Sequence, residues 1–202
     1  MLADSAIVRL SFAGRDQIVN FSSVLLAPGD ILPAEVFADL RTDHAGEVGA
    51  VCIYQGVLQF ARDPVLRAFA EHHLVTEQKH LRLIAGWLPK SEYSRLLPLW
   101  RLAGFLTGAL PALFGSKAVY ATIAAVETFV NQHYEDQIRA LESKPELSDL
   151  RQTLLDCQAD EVAHRDEAAA ALGSARPNLV LRAWCAMVGT GSKAAVSLIR
   201  HI

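Results

Sequence analysis

The sequence predicts an all-α domain built as a bundle of four long helices, and three observations predict it. Apolar residues recur at alternating spacings of three and four along four separate stretches. Proline or glycine punctuates the joins between these stretches. Each stretch carries one apolar stripe that no single helix can hide from water, so the four must cover one another.

The first helix is expected over about residues 33–61, with Val36, Leu40, Asp43, Glu47, Ala50, Tyr54, Val57 and Ala61 on its seam. Asp63-Pro64 ends it and starts the second, over about 64–87, whose seam holds Leu66, Ala70, His73, Glu77, His80, Ile84 and Trp87 before Pro89. The third, about 116–142, aligns Tyr120, Ile123, Glu127, Val130, Tyr134 and Leu141. The fourth, about 146–172, aligns Leu147, Leu150, Leu154, Cys157, Glu161, His164 and Ala168, with Gly173 as its stop. These helices belong to one domain over 33–202, preceded by a segment, 1–32, to which the sequence assigns no structure beyond a turn at Pro28-Gly29-Asp30.

Two further stretches are too apolar to be ordinary bundle helices. An insert over 93–115 carries Arg101 as the one charge of its apolar part, and a C-terminal helix over 177–200 is interrupted by Arg182 and Lys193. Either has the length to span a bilayer. A single crossing by the insert is excluded, because it would put Glu77 and Glu127 on opposite sides of the membrane. The prolines at 98 and 111 suggest a broken element lying along the membrane surface, and a hydrophobic cap or dimer interface is the competing reading.

Composition narrows the partners. A net charge of −3, with acids and bases mixed along the chain, offers no basic face for a phosphate backbone, so no nucleic acid is expected. Three widely spaced cysteines, Cys52, Cys157 and Cys185, form no Cys-x-x-Cys pair and read as buried thiols in a reducing compartment. The acidic start, Met1-Leu2-Ala3-Asp4-Ser5, shows neither a secretory nor a transit signal, which points to the cytoplasmic side of a cell.

The seams contain a contradiction. Near the middle of each helix, where Leu or Ile belongs, stand carboxylates and imidazoles: Glu47, Glu77, His80, Glu127, Glu161 and His164. Buried carboxylates facing one core need compensating positive charge, and no Lys or Arg lies on these seams. A pair of divalent cations would balance the four glutamates. Spacing agrees, because the only two Glu-x-x-His pairs in the chain are Glu77/His80 and Glu161/His164, and each puts both ligands on one helix face. A lone seam Glu precedes each pair, by 30 residues in one case and 34 in the other. This repeat is the pattern of ferritin-like dimetal bundles, and its oxygen-rich donor set suits iron or manganese.

The neighbours have plainer readings as well. Asp43 and Asp160 either hold the second nitrogen of a ligand histidine or make surface ion pairs. His73 reads as a core histidine paired with Glu77, and Tyr54 and Tyr134 as core aromatics. His44, His72 and His201 read as surface or helix-end residues. Gly46 and Gly49, beside Glu47, imply close helix approach or room for a ligand.

With these residues in view, Asp43-His44-Ala45-Gly46-Glu47 resembles a signature of the demethoxyubiquinone hydroxylase family. Lys117-Ala118-Val119-Tyr120, Val126-Glu127, His133 to Ile138, Asp160 to His164 and Gly189 to Ala195 resemble its later blocks. The resemblance runs from about residue 29 to the C-terminus. It departs at Thr128, where a second acid is common, and at the ending Ile199-Arg200-His201-Ile202 in place of Ser-Glu-Arg.

The resemblance implies a ferritin-like diiron monooxygenase of ubiquinone biosynthesis, with two Fe ions per chain on the six residues named above and O2 as cosubstrate. The substrate it implies is a polyprenylated methoxy-benzoquinol, hydroxylated on its ring. It implies that His133 and Tyr134 lie near the metals with a part in electron or proton delivery, and that an electron donor or reductase is needed. Together with the apolar segments it implies a peripheral protein on the cytoplasmic face of a bacterial membrane, as a homo-oligomer or with a lipid-presenting partner. The rivals on the same ligands are a ferritin-like iron-oxidising or storage protein and a tRNA-modifying diiron hydroxylase.

Overall fold

The computed structural model describes residues 8–12, 15–19, 32–174 and 177–200. His201 and the turn at 28–30 lie outside the described residues. Two strands, β1 (Val8–Phe12) and β2 (Arg15–Val19), pair antiparallel with Val8 opposite Val19 and Phe12 opposite Arg15. This hairpin falls in the segment to which the sequence reading assigns no structure. From residue 34 onward the described secondary structure is helical, and the all-α expectation holds for this domain.

Six α-helices follow: α1 (Ala34–Phe60), α2 (Pro64–Trp87), α3 (Leu97–Leu113), α4 (Ser116–Leu141), α5 (Ser148–Leu172) and α6 (Leu179–Ile199). Their ends follow local chemistry. The Asp63 side chain accepts from the Val65 N–H, capping α2 at 2.9 Å with Pro64 in its first turn. The same carboxylate accepts from Ser116 Oγ at 2.6 Å, tying the start of α4 to the start of α2. Gly173 (φ +67°) takes the left-handed conformation that stops α5, where its N–H bonds the Ala169 and Ala170 carbonyls. Asn178 caps α6 by accepting from the Leu181 N–H.

The chain repeats itself in three dimensions. Helix α1 packs on α2 and carries α3 on its outside, while α4 packs on α5 and carries α6. The two halves meet through α2 with α5 and α3 with α4. Nearly all the expected seam residues are buried, with Ala50 and Val130 half-buried. The apolar core divides into two clusters. One gathers around Leu40, Ile84, Tyr134, Leu150 and Leu154, the other around Tyr54, Val57, Leu66, Val119 and Ile123. The seam carboxylates fall between them in sequence on all four bundle helices.

The apolar insert corrects one expectation. It is not broken at its prolines, because α3 runs unbroken from Leu97 to Leu113. Pro98 sits in the first turn, where no backbone N–H bond is lost, and Pro111 sits in the last turn. Helix α3 approaches α1 backbone to backbone. A Cβ on Gly108 would lie 1.9 Å from the Ile53 carbonyl oxygen, and one on Gly104 2.5 Å from that of Gly49. Its outer face exposes Leu99, Leu102, Leu106, Leu110 and Leu113. Among the described residues, no helix is long and apolar enough to cross a membrane.

Candidate metal centre

All six seam acids and imidazoles converge, each no more than 4 % exposed. Their donor atoms form two groups, Glu47/Glu77/His80/Glu161 and Glu77/Glu127/Glu161/His164, with the atoms of each group within 4.8 Å of one another. Glu77 and Glu161 belong to both. The Glu of each Glu-x-x-His pair therefore stands between two potential ion positions, and Glu47 with His80 and Glu127 with His164 stand at the flanks. His80 Nδ1 is 2.9 Å from Glu161 Oε1, and His164 Nδ1 is 3.0 Å from Glu77 Oε1. Each histidine thus meets the glutamate of the opposite pair more closely than its own, because α2 and α5 face each other across the bundle.

The donors suit cations. Glu47 Oε2, both Glu77 oxygens, Glu161 Oε2 and His164 Nδ1 are buried without a hydrogen-bond partner, an arrangement that destabilises the fold unless positive charge enters. Among the described residues, no Lys or Arg forms an ion pair with any of the six; Lys79 pairs instead with Asp160. Without metal, protons supply the charge. Burial, reinforced by the Glu161 charge, raises Glu47 to about 7 and raises Glu77 and Glu127 as well. Glu161 is the exception. Burial opposes its ionisation, yet the His164 and His80 rings beside it hold it down at about 2. His80 is correspondingly raised to about 9, its burial outweighed by the Glu161 hydrogen bond and the glutamate charges.

The surrounding residues sort differently from the sequence reading. Asp160 Oδ2 lies 3.0 Å from His80 Nε2, which leaves Nδ1 aimed at the carboxylates. Asp43 is buried and meets no ligand histidine. Its Oδ1 accepts from Gln137 Nε2 at 2.6 Å and lies 3.1 Å from His133 Nε2. Burial would lower the His133 pKa, but the Asp43 hydrogen bond and charge raise it. Tyr134 is no plain core aromatic, because its hydroxyl donates to Glu47 Oε1 at 2.5 Å.

His73 is a core histidine, but its acidic neighbour is Glu167 (3.2 Å) and not Glu77, and its ring meets His164 edge-on at 4.1 Å. His44 is buried against the Tyr93 ring at 3.8 Å, not on the surface, because α1 is covered on that side by the segment leading into α3. His72 is exposed as expected. Cys157 is buried, while Cys52 and Cys185 are half-buried. Sequence reasoning missed Gln137 and Thr42, whose Oγ1 is 3.0 Å from His133 Nε2. Gln137 lies one turn after His133, a spacing that could have pointed to it. Of the two flanking glycines, Gly49 serves close packing, 2.9 Å from the Trp100 indole nitrogen for a built Cβ, whereas Gly46 has open space and lines a cavity of about 40 Å³ beside the glutamates.

A family model described as Ubiquinone biosynthesis protein COQ7 matches residues 35–199 and so takes in both halves of the donor set. The chain belongs to the COQ7 family. Within it, the chain is 39 % identical over 145 residues to the 3-demethoxyubiquinol 3-hydroxylase of Rhodospirillum rubrum, covering 69 % of this chain and 66 % of that protein. It is 35 % identical over 130 residues to the mitochondrial NADPH-dependent 3-demethoxyubiquinone 3-hydroxylase of Dictyostelium discoideum, covering 62 % and 59 %. To the human protein of the same description it is 33 % identical over 161 residues, covering 78 % and 74 %. The chain thus spans slightly less than two thirds of the length of the first two COQ7 relatives.

Proposed function

We propose that the chain is a diiron monooxygenase that hydroxylates the ring of a polyprenylated methoxy-benzoquinol, demethoxyubiquinol, with O2 as cosubstrate and electrons from a reductase or the quinol. The observation that carries this reading is the pair of buried Glu/His groups that share Glu77 and Glu161. Glu47, Glu77 and His80 would hold one iron, and Glu127, Glu161 and His164 the other, with Glu77 and Glu161 within reach of both groups of donors. The iron pair would supply oxygen activation when bound. The activities for which the relatives are named support the substrate class.

The chain's own residues set the stage. The protonated ligands would exchange protons for cations, and Asp160 keeps the His80 ring turned so that Nδ1 faces inward. Tyr134 orients Glu47. We assign to His133, partly exposed and held by Asp43, together with Tyr134, the delivery of protons or electrons, a reading supported by their lining of the same cavity. That cavity, lined on its apolar side by Phe129, Val130 and Val196, has room for a molecule the size of water or dioxygen. The leucines on the outside of α3, with Leu179, Val180 and Met187 of α6, support seating on a membrane surface where a long isoprenoid tail resides.

The test is a quinone profile by mass spectrometry from cells lacking this chain. Demethoxyubiquinone should accumulate and disappear on complementation, whereas complementation with Glu161→Ala should fail and the purified variant should lose iron. An unchanged profile rejects the assignment. Iron loading far above two ions per chain would favour a storage role instead.

A further inference from the structure

Tyr54 carries a buried polar atom that the proposed chemistry does not use. Its side chain is 0 % exposed and its hydroxyl has no hydrogen-bond partner. Phe69 and His73 wall it in, with ring centroids 6.5 and 5.8 Å away. A hydroxyl stripped of water and left unpaired destabilises a fold, so its retention calls for a partner that arrives later.

The internal repeat says which partner. Tyr54 follows Glu47 by seven residues, and Tyr134 follows Glu127 by seven. Seven residues are about two helical turns, so each tyrosine shares a helix face with its own glutamate. Exchanging α1–α2 with α4–α5 maps Glu47 onto Glu127, the Glu77/His80 pair onto Glu161/His164, and Tyr54 onto Tyr134. In one half the contact is made, since Tyr134 of α4 donates across the bundle to Glu47 of α1. The matching contact in the other half would join Tyr54 of α1 to Glu127 of α4, and it is not made in the metal-free centre. After burial, Glu127 is the group that raises the Tyr54 pKa most, which fits its being the facing carboxylate.

We propose that Tyr54 is a positioning residue whose hydroxyl donates to Glu127 once the centre holds metal, orienting that carboxylate on the ion shared with His164 as Tyr134 orients Glu47. The proposal rests on the two-metal reading above. In the metal-free centre the Tyr54 hydroxyl makes no hydrogen bond, and an ion that orients the Glu127 carboxylate would bring an acceptor oxygen to it. Tyr54 therefore contributes to metal binding and not to the metal-free fold, and its partner Tyr134 contributes to both.

Manganous ion titrated into the full-length metal-free protein, with free ion read by electron paramagnetic resonance and unfolding read by thermal scans, tests this in wild type, Tyr54→Phe and Tyr134→Phe. In Tyr54→Phe the metal-free Tm should stay equal or rise. One of its two ions should bind about tenfold or more weakly, and its metal-induced Tm gain should shrink. Tyr134→Phe should lower the metal-free Tm. Wild-type affinity for both ions in Tyr54→Phe, or a metal-free Tm that falls as in Tyr134→Phe, overturns the proposal. Wild-type protein that takes up fewer than two ions overturns the two-metal reading itself, and the Tyr54 proposal with it.

Discussion

Gly108→Ala is expected to destabilise the protein although it raises helix propensity. Gly108 lies in the middle of α3, where alanine alone would stabilise a helix by about 1 kcal/mol. Against this, the new methyl would sit 1.9 Å from the Ile53 carbonyl oxygen and 3.0 Å from the Val57 amide nitrogen. Both are backbone atoms of α1 and cannot rotate away, so α3 must lift off along its length. Overpacking of this kind costs about 3 kcal/mol at the upper end of its ordinary range. The net loss of about 2 kcal/mol corresponds to a fall of about 4–8 °C in Tm for a domain of this size. Thermal unfolding followed by circular dichroism measures it, with Gly189→Ala as the control, since nothing lies within 4 Å of a Cβ built there. Gly189→Ala should be neutral or stabilising. A Gly108→Ala protein as stable as wild type would refute the close α1–α3 packing and the account of why glycines recur on both helices.

The metal-free protein should lose stability as pH rises from about 6.5 to 9. His80 is raised from 6.5 to about 9, so the folded state holds a proton that the unfolded chain has released, and stability falls as pH rises through that window; at lower pH Glu47, raised to about 7, is opposed by His44 and His73, lowered to about 4 and about 3. Glu161, lowered to about 2, gives the opposite slope between about 2 and 4.5. The His80 contribution alone is roughly 3 kcal/mol; urea midpoints that hold or rise from pH 6.5 to 9 without metal would contradict it, and metal loading should abolish the alkaline fall. Asp160→Asn, which leaves His80 Nε2 a weaker partner, should reduce manganous-ion affinity by about 10–100-fold, and unchanged affinity would remove Asp160 from the centre. Replacing Leu102 and Leu106 together by Glu should change stability by no more than about 1 kcal/mol, because both are exposed, while abolishing sedimentation with lipid vesicles. Retained sedimentation would move membrane seating off α3.

Much of this protein is legible without coordinates because helix periodicity and burial are local matters. A carboxylate on an apolar seam is a contradiction readable from spacing alone, and four of them, two joined to a histidine three residues on, mark the candidate centre whose six residues the fold brings together. The ends of α2 and α5 were equally plain, since Asp63-Pro64 and Gly173 act through their own backbone. Only the tertiary structure decided what each side chain meets on another helix. Periodicity gives the face a residue occupies, but not the rotation and crossing that select its neighbour. Hence Glu77 and Glu161 emerged as the shared carboxylates, His73 turned to Glu167, Asp43 went to His133 and Gln137 while Asp160 alone reached a ligand histidine, and His44 was buried by a segment fifty residues away. Helix α3 shows the same division. Its apolar character was evident in the sequence, but its unbroken course and glycine contacts depend on how closely α1 lets it approach.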